Sequence, residues 1–224
     1  MYQDTAQLTE IDSNGKITGR IRCAPQLIPG PGQYLLAHAD QDGNNPLATP
    51  LFRAGLCPGG FTLANRLPAN WQPGTQLNVR GPLGKGFQLP VTARFIVLAS
   101  FGKTTARLLA LTEFALAQNA AIALLTDHAP DGLPAAIEIS PISTLAEATR
   151  WADYLALDAP KDVLSGLLQT ISQTAYHGDG QVFIETAIPC GAMSECAACA
   201  VHLRKGFKFA CKDGPVFDLK TLLE

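Results

Sequence analysis

Nothing in this chain approaches the ~20 consecutive apolar residues that a membrane-spanning helix needs. Charge of one sign is equally scarce: 17 Lys and Arg stand against 19 Asp and Glu, for a formal net charge of −2. That balance leaves no basic surface of the kind on which nucleic-acid binding depends. Neither a membrane nor a nucleic acid is therefore expected as a partner. The opening residues, Met1-Tyr2-Gln3-Asp4-Thr5, lack a charged segment followed by an apolar one, so the expectation is a cytoplasmic chain without an export signal. Internal repeats and low-complexity tracts are also missing. The four histidines, His38, His128, His177 and His202, show no pairing at metal or triad spacing. Gly102-Lys103-Thr104-Thr105 resembles the end of a phosphate-binding loop, but the glycine such a loop needs five residues earlier is Val97, which excludes a nucleotide triphosphatase.

What the chain does have is concentrated near its C-terminal end. Cys190, Cys196, Cys199 and Cys211 follow the spacing C-x5-C-x2-C-x11-C. Three thiols in a tight loop with a fourth from downstream is how a chain wraps a [2Fe–2S] cluster, and the plant-type order C-x4-C-x2-C differs by one residue in the first gap. Gly191, Ala192, Ala197, Ala198 and Ala200 are small, which lets the backbone curl and aim N–H groups at sulfur. Structural zinc is the main alternative, although zinc sites commonly present two short C-x2–4-C knuckles and only Cys196 and Cys199 form one here. Disulfides are the other; cysteines of a cytoplasmic chain serve more often as metal ligands. Cys23 and Cys57 stand apart from this group. Arg204, Lys205, Lys208 and Lys212 place positive charge around it, which would raise a cluster's potential and steer an acidic partner.

With 224 residues, 47% of them hydrophobic, the chain has material for a real core. The first ~90 residues read as short strands between turns. Ala6 to Thr9 and Ile17 to Cys23 flank Asn14-Gly15, a hairpin signal; Pro31-Gly32 leads into a strand at Tyr34, and Asp42 to Pro46 is a loop. Gln76 to Arg80 alternates apolar and polar. These suggest an antiparallel β-barrel over residues 1–92. From about residue 94 the pattern changes. Phe95 to Ala99 is a continuous apolar strand, Thr104 to Gln118 reads as a helix, and Ala121 to Leu125 as a second buried strand, giving a βαβ unit. Ser143 to Ala152, with Ser143 and Thr144 as caps, and Asp162 to Ala175 read as further helices, and Gln181 to Glu185 as a last strand. An α/β parallel-sheet domain is thus expected over 93–185 and a cluster-binding module over 186–224.

Three further stretches carry a family likeness. Gly81-Pro82-Leu83-Gly84-Lys85-Gly86-Phe87 looks like a G-P-L-G-N-G-F turn between barrel and α/β domain. Pro31-Gly32-Gln33-Tyr34 resembles a P-G-Q-F strand start, and Cys211-Lys212-Asp213-Gly214-Pro215-Val216-Phe217 is similar to a closing C-x-D-G-P-V-F. With the cysteine loop they resemble the electron-transfer subunit of type B dihydroorotate dehydrogenase, within the ferredoxin-reductase superfamily. The resemblance implies FAD on the barrel, a [2Fe–2S] cluster on the four cysteines and a nicotinamide site on the α/β domain. It also implies a redox partner that oxidises dihydroorotate, a hetero-oligomer with that catalytic subunit, and pyrimidine biosynthesis as the setting.

The sequence departs from that pattern at two places. The family's R-P-x-S segment gives an arginine to the flavin pyrophosphate and a serine to its ring. Here Ala54 stands for the arginine and Cys57 for the serine, with Arg53 one position away. Arg53, Cys57, Gly81, Pro82 and Gly84 are the flavin candidates. The Gly-Gly-x-Gly turn of the nicotinamide site is Ser100-Phe101-Gly102-Lys103, and Tyr154 to Pro160 occupies the region of its later C-G-P segment, so NAD(P) is not expected. Two readings remain: an electron-transfer subunit with a cluster and FAD, or a non-catalytic cluster-bearing binding or regulatory subunit that has lost both nucleotide sites.

Overall fold

The computed structural model describes residues 2–12, 18–40, 43, 47–174, 176–203 and 206–223. The Asn14-Gly15 turn, most of the Asp42–Pro46 loop, Ala175, Arg204 and Lys205 lie outside the described residues.

Strands β1 (Tyr2–Asp12), β2 (Thr18–Arg22), β3 (Tyr34–Ala39), β4 (Thr49–Cys57), β5 (Gly60–Leu63) and β6 (Gln76–Leu83) close into an antiparallel barrel in the order β1-β2-β5-β4-β3-β6. The alternation read from the sequence is visible in β6, where Leu77, Val79 and Gly81 are buried between more exposed neighbours. Leu8, Ile21, Leu35, Leu51, Phe61 and Trp71 fill the interior. β1 outruns the expected Ala6–Thr9 because it pairs with β2 on one side and β6 on the other.

The second part comprises β7 (Phe95–Ser100), α1 (Ala106–Leu109), α2 (Thr112–Ala117), β8 (Ala121–Leu125), β9 (Ile137–Ser140), α3 (Leu145–Ala148), β10 (Tyr154–Pro160), α4 (Leu164–Gln173) and β11 (Asp179–Glu185). β9, β8, β7, β10 and β11 lie side by side and parallel. The chain passes from β7 to β8 on one side and returns to β10 on the other. In such sheets, ligands bind outside the carboxyl ends of the strands where the order reverses, here β7 and β10.

The helices are shorter than the sequence suggests. The expected Thr104–Gln118 helix breaks into α1 and α2, and at the break the Thr112 hydroxyl donates to the Leu109 carbonyl at 2.7 Å. The expected 143–152 helix is a 3₁₀ turn at Ile142–Thr144 followed by the one-turn α3. Thr144 does not cap it; its hydroxyl donates backwards to Pro141 O. α4 starts later than Asp162, after a 3₁₀ turn at Lys161–Val163, and buries Leu164, Leu167 and Ile171 on one face.

Gln181–Glu185 is not the last strand. After the hairpin β12 (Ala200–Leu203) and β13 (Gly206–Phe209) and the short α5 (Ala210–Asp213), β14 (Val216–Asp218) returns to pair antiparallel with β11, and α6 (Leu219–Leu223) follows. Val216, Phe217, Leu219 and Leu222 share one core with the parallel sheet. The segment bearing the cysteines is therefore anchored in the α/β sheet rather than appended to it. Among the described residues no helix is long and apolar enough to cross a membrane.

Candidate metal centre

Cys190, Cys196 and Cys199 lie on the loop between β11 and β12, and Cys211 on α5. The loop curls as its small residues allow: Gly191, Ala192, Ser194 and Ala197 all take positive φ, between 55° and 66°. Backbone of that kind gathers N–H groups into an anion-binding concavity. Burial acts upward on the Cys190 thiol, yet hydrogen bonds from Glu195, Cys196 and Met193 outweigh it and hold Cys190 at about 6. The Cys190 and Cys196 side chains touch, as do those of Cys199 and Cys211. Burial pushes the Cys211 thiol up, and the Ser194 hydroxyl lies 3.5 Å from its sulfur. Among the described residues no three His, Cys, Asp or Glu side chains gather as a single-ion site. The thiols stand as two side-chain pairs, Cys190–Cys196 and Cys199–Cys211.

The face around these pairs is uneven. Cys199 and Cys211 are buried, whereas Cys196, Ala197 and Ala198 are exposed, with Met193 at 60% and Phe207 at 58% exposure nearby. Behind them stands the barrel wall. The buried Tyr34 hydroxyl donates to Cys211 O at 3.1 Å, and Arg80 Nη2 donates to Gly191 O. Sequence reasoning missed both partners, since nothing in the spacing of the cysteines points to a strand more than a hundred residues earlier.

Of the flavin candidates, Gly81, Pro82 and Gly84 stand at or just past the end of β6, and Arg53 lies two strands away, since Tyr34 of β3 pairs with both Leu83 and Phe52. Gly84 (φ 75°) packs against the cysteine-bearing segment: a Cβ there would lie 2.7 Å from Pro215 Cδ and 2.8 Å from Gly214 O. Gly81 and Pro82 lead into that turn at the end of β6. Arg53 is on β4, only 4% exposed, beneath the Phe114 ring of α2 at 5.8 Å. Its Nε and Nη2 have no partner, and burial pulls its pKa down, with Glu113 opposing. Cys57, half-buried at the far end of β4, lies near Cys23 rather than near Arg53. α2 covers part of β4 and leaves Leu56 exposed. Glu113 Oε1 accepts the Leu56 N–H at 2.9 Å, and Phe52 packs between Tyr34 (5.4 Å) and Phe183 (5.2 Å). A cavity of about 150 Å³ beside Phe52, Arg107 and Phe183 touches none of the flavin candidates.

The carboxyl ends of β7 and β10 carry an ion network that the sequence did not reveal. Asp158, wholly buried, faces Arg107: Nε and Nη2 donate to its two oxygens at 2.8 and 2.9 Å, and Nη2 also reaches Glu185 Oε2 at 2.8 Å. The guanidinium lies 4.7 Å from the Phe183 ring centre. Burial alone would pull Arg107 down, but Asp158 and Glu185 outweigh it and hold it above its ordinary value. Phe101, half-buried, donates its N–H to Asp158 O and lines an open groove of about 630 Å³ with Ile142, Leu145, Asp162 and Leu167. The available signal was Asp158 itself, a carboxylate inside an apolar strand, which demands a partner.

Residues 185–223 match the family described as the iron–sulfur cluster binding domain of dihydroorotate dehydrogenase B. No curated protein matches the chain in sequence. Among solved structures it is similar to an NADH-dependent reduced ferredoxin-NADP oxidoreductase studied for flavin-based electron bifurcation, with TM-score 0.72 and 17% identity over 96% of this chain and 88% of that one. It is also similar to the ferredoxin reductase in carbazole 1,9a-dioxygenase, at TM-score 0.59 and 15% identity over 79% and 66% of the two chains. A third likeness is to the flavohem-like FAD/NAD binding domain of nitric oxide dioxygenase from Vibrio cholerae O1 biovar El Tor, at TM-score 0.55 and 11% identity over 81% and 98%. At these identities the likeness establishes the fold. The match at residues 185–223 thus concerns the cysteine-bearing segment, and the residues before it share the fold of these reductases.

Proposed function

We propose that this chain is a one-cluster electron-transfer subunit, holding a [2Fe–2S] cluster on Cys190, Cys196, Cys199 and Cys211 and exchanging electrons with a partner oxidoreductase in the cytoplasm. The observation that carries this is the placing of four cysteines on one curled loop and the neighbouring α5, within the residues that match an iron–sulfur cluster binding domain. The cluster itself supplies one-electron chemistry; the chain supplies position, burial and charge. The exposed Cys196, Met193 and Phe207 favour this face for docking, and a dihydroorotate dehydrogenase catalytic subunit is the partner proposed, in a hetero-oligomer. NAD(P) has no part in this reading: Arg107 and Asp158 tie up the strand ends where a dinucleotide would approach, and Phe101 replaces a glycine there. Electrons then both enter and leave through partners.

One observation favours a second reading. The unpartnered, buried guanidinium of Arg53 is what an anion such as a flavin pyrophosphate would satisfy if α2 were displaced from β4. Anaerobic purification with iron, zinc and flavin quantified on one sample separates the two. About two irons per chain without flavin supports the one-cluster subunit; stoichiometric flavin replaces it with the two-cofactor conduit. Zinc in place of iron refutes both.

A further inference from the structure

Two side chains of the barrel engage the cysteine segment from adjacent strands. Tyr34 opens β3 and Arg80 lies on β6, and these strands pair. Tyr34 donates to the carbonyl of Cys211, which belongs to one thiol pair. Arg80 donates to the carbonyl of Gly191, the residue after Cys190, which belongs to the other. Each pair thus has one barrel donor on its backbone, at Cys211 itself for one and at the residue after Cys190 for the other. The groups share a single electrostatic neighbourhood: burial pushes the Tyr34 phenol up, the Cys211 and Cys199 thiols push it further, and Arg80 opposes them.

Such an arrangement acts on potential. Adding an electron to the cluster adds negative charge, so a cation fixed close by on a part-buried strand stabilises the reduced form over the oxidised one. Donors to the ligand-bearing backbone act in the same direction, more weakly. We propose that Arg80 and Tyr34 set the reduction potential of the cluster from the barrel, Arg80 chiefly through its charge and Tyr34 through its hydroxyl. They are positioning residues, and the barrel thereby serves the metal centre directly. This rests on the four cysteines being the cluster ligands.

The test is a potentiometric titration of the full-length, anaerobically purified protein, followed by visible absorption and by electron paramagnetic resonance of the reduced form, with iron measured on each sample. Arg80→Gln retains a hydrogen-bond donor but removes the charge; it lowers the equilibrium constant for reduction about tenfold, which is about 59 mV for one electron. Arg80→Lys stays with the wild type, and Tyr34→Phe shifts in the same direction as Arg80→Gln but by less. Wild-type potentials in Arg80→Gln and Tyr34→Phe, with iron retained, overturn the proposal. If Arg80→Gln fails to fold, an unshifted Tyr34→Phe together with a shifted Arg80→Lys overturns it equally. A wild type that binds no iron overturns this inference and the functional reading together, whereas iron-loaded but unshifted variants remove only the inference.

Discussion

At the scale of single residues the chain is governed by charges held away from water. Asp158 pairs with Arg107 through both carboxylate oxygens in a fully buried position. Removing one partner of such a pair costs about 3–5 kcal/mol, since the other charge stays buried, whereas replacing both with apolar groups is often neutral. Asp158→Ala is therefore expected to lower the unfolding free energy by that amount, read as a lower guanidinium chloride midpoint at unchanged slope, and Arg107→Met combined with Asp158→Leu to recover most of the loss. Cys190 gives a pH prediction. Its thiol is brought from 9.0 to about 6 in the folded chain. A depressed acidic group contributes stability that is present above the unfolded value and lost as pH falls through the folded one. Iron-free protein should thus gain stability as pH rises from about 6 to 9, and peptide mapping after iodoacetamide treatment should show Cys190 alkylated with a half-maximal rate near pH 6. A midpoint near 9.0 would contradict the N–H arrangement around that sulfur.

At the scale of elements, strands were legible and helices less so. The alternation in β6 and the unbroken apolar run of β7 announce themselves because strand burial follows directly from side-chain period. Helix breaks did not, because they depend on contacts made elsewhere in the fold, which the local period does not carry. α2 illustrates this. Glu113 reaches β4 and accepts the Leu56 N–H, so the helix is held where the barrel needs it rather than where its own pattern would extend it. Glu113→Ala is expected to cost about 0.5–1.5 kcal/mol and to speed amide exchange through residues 53–57 while leaving the iron content unchanged. The four cysteines were legible from spacing alone. Their supports, Tyr34 and Arg80, were not: Pro31-Gly32-Gln33-Tyr34 signals a strand start, but nothing local says where a phenol will point.

At the scale of the whole molecule, the barrel, sheet and cysteine segment interlock. Lys85 donates its N–H to Gly214 O and bridges to Pro215, Gly84 sits against both, and β14 completes the sheet at β11. Gly84→Ala would place a methyl group within 2.7 Å of Pro215 at a φ of +75°; such strain costs on the order of 1–3 kcal/mol, and the loss should appear as earlier bleaching of the cluster on heating. Because no part can leave alone, far-UV ellipticity and visible absorption are expected to fall together in denaturant; separate transitions would show the segment to be an independent unit. The return of β14 also orders events in time. β11 receives its outer neighbour only from residues 216–218, with residues 186–215 between. At about 5–20 residues per second, synthesis leaves a few seconds between the two strands. During that interval Cys190, Cys196 and Cys199 are made while the strand that pins their segment is not, and Cys211 follows only just ahead of it, so the fourth thiol and the closing strand arrive almost together.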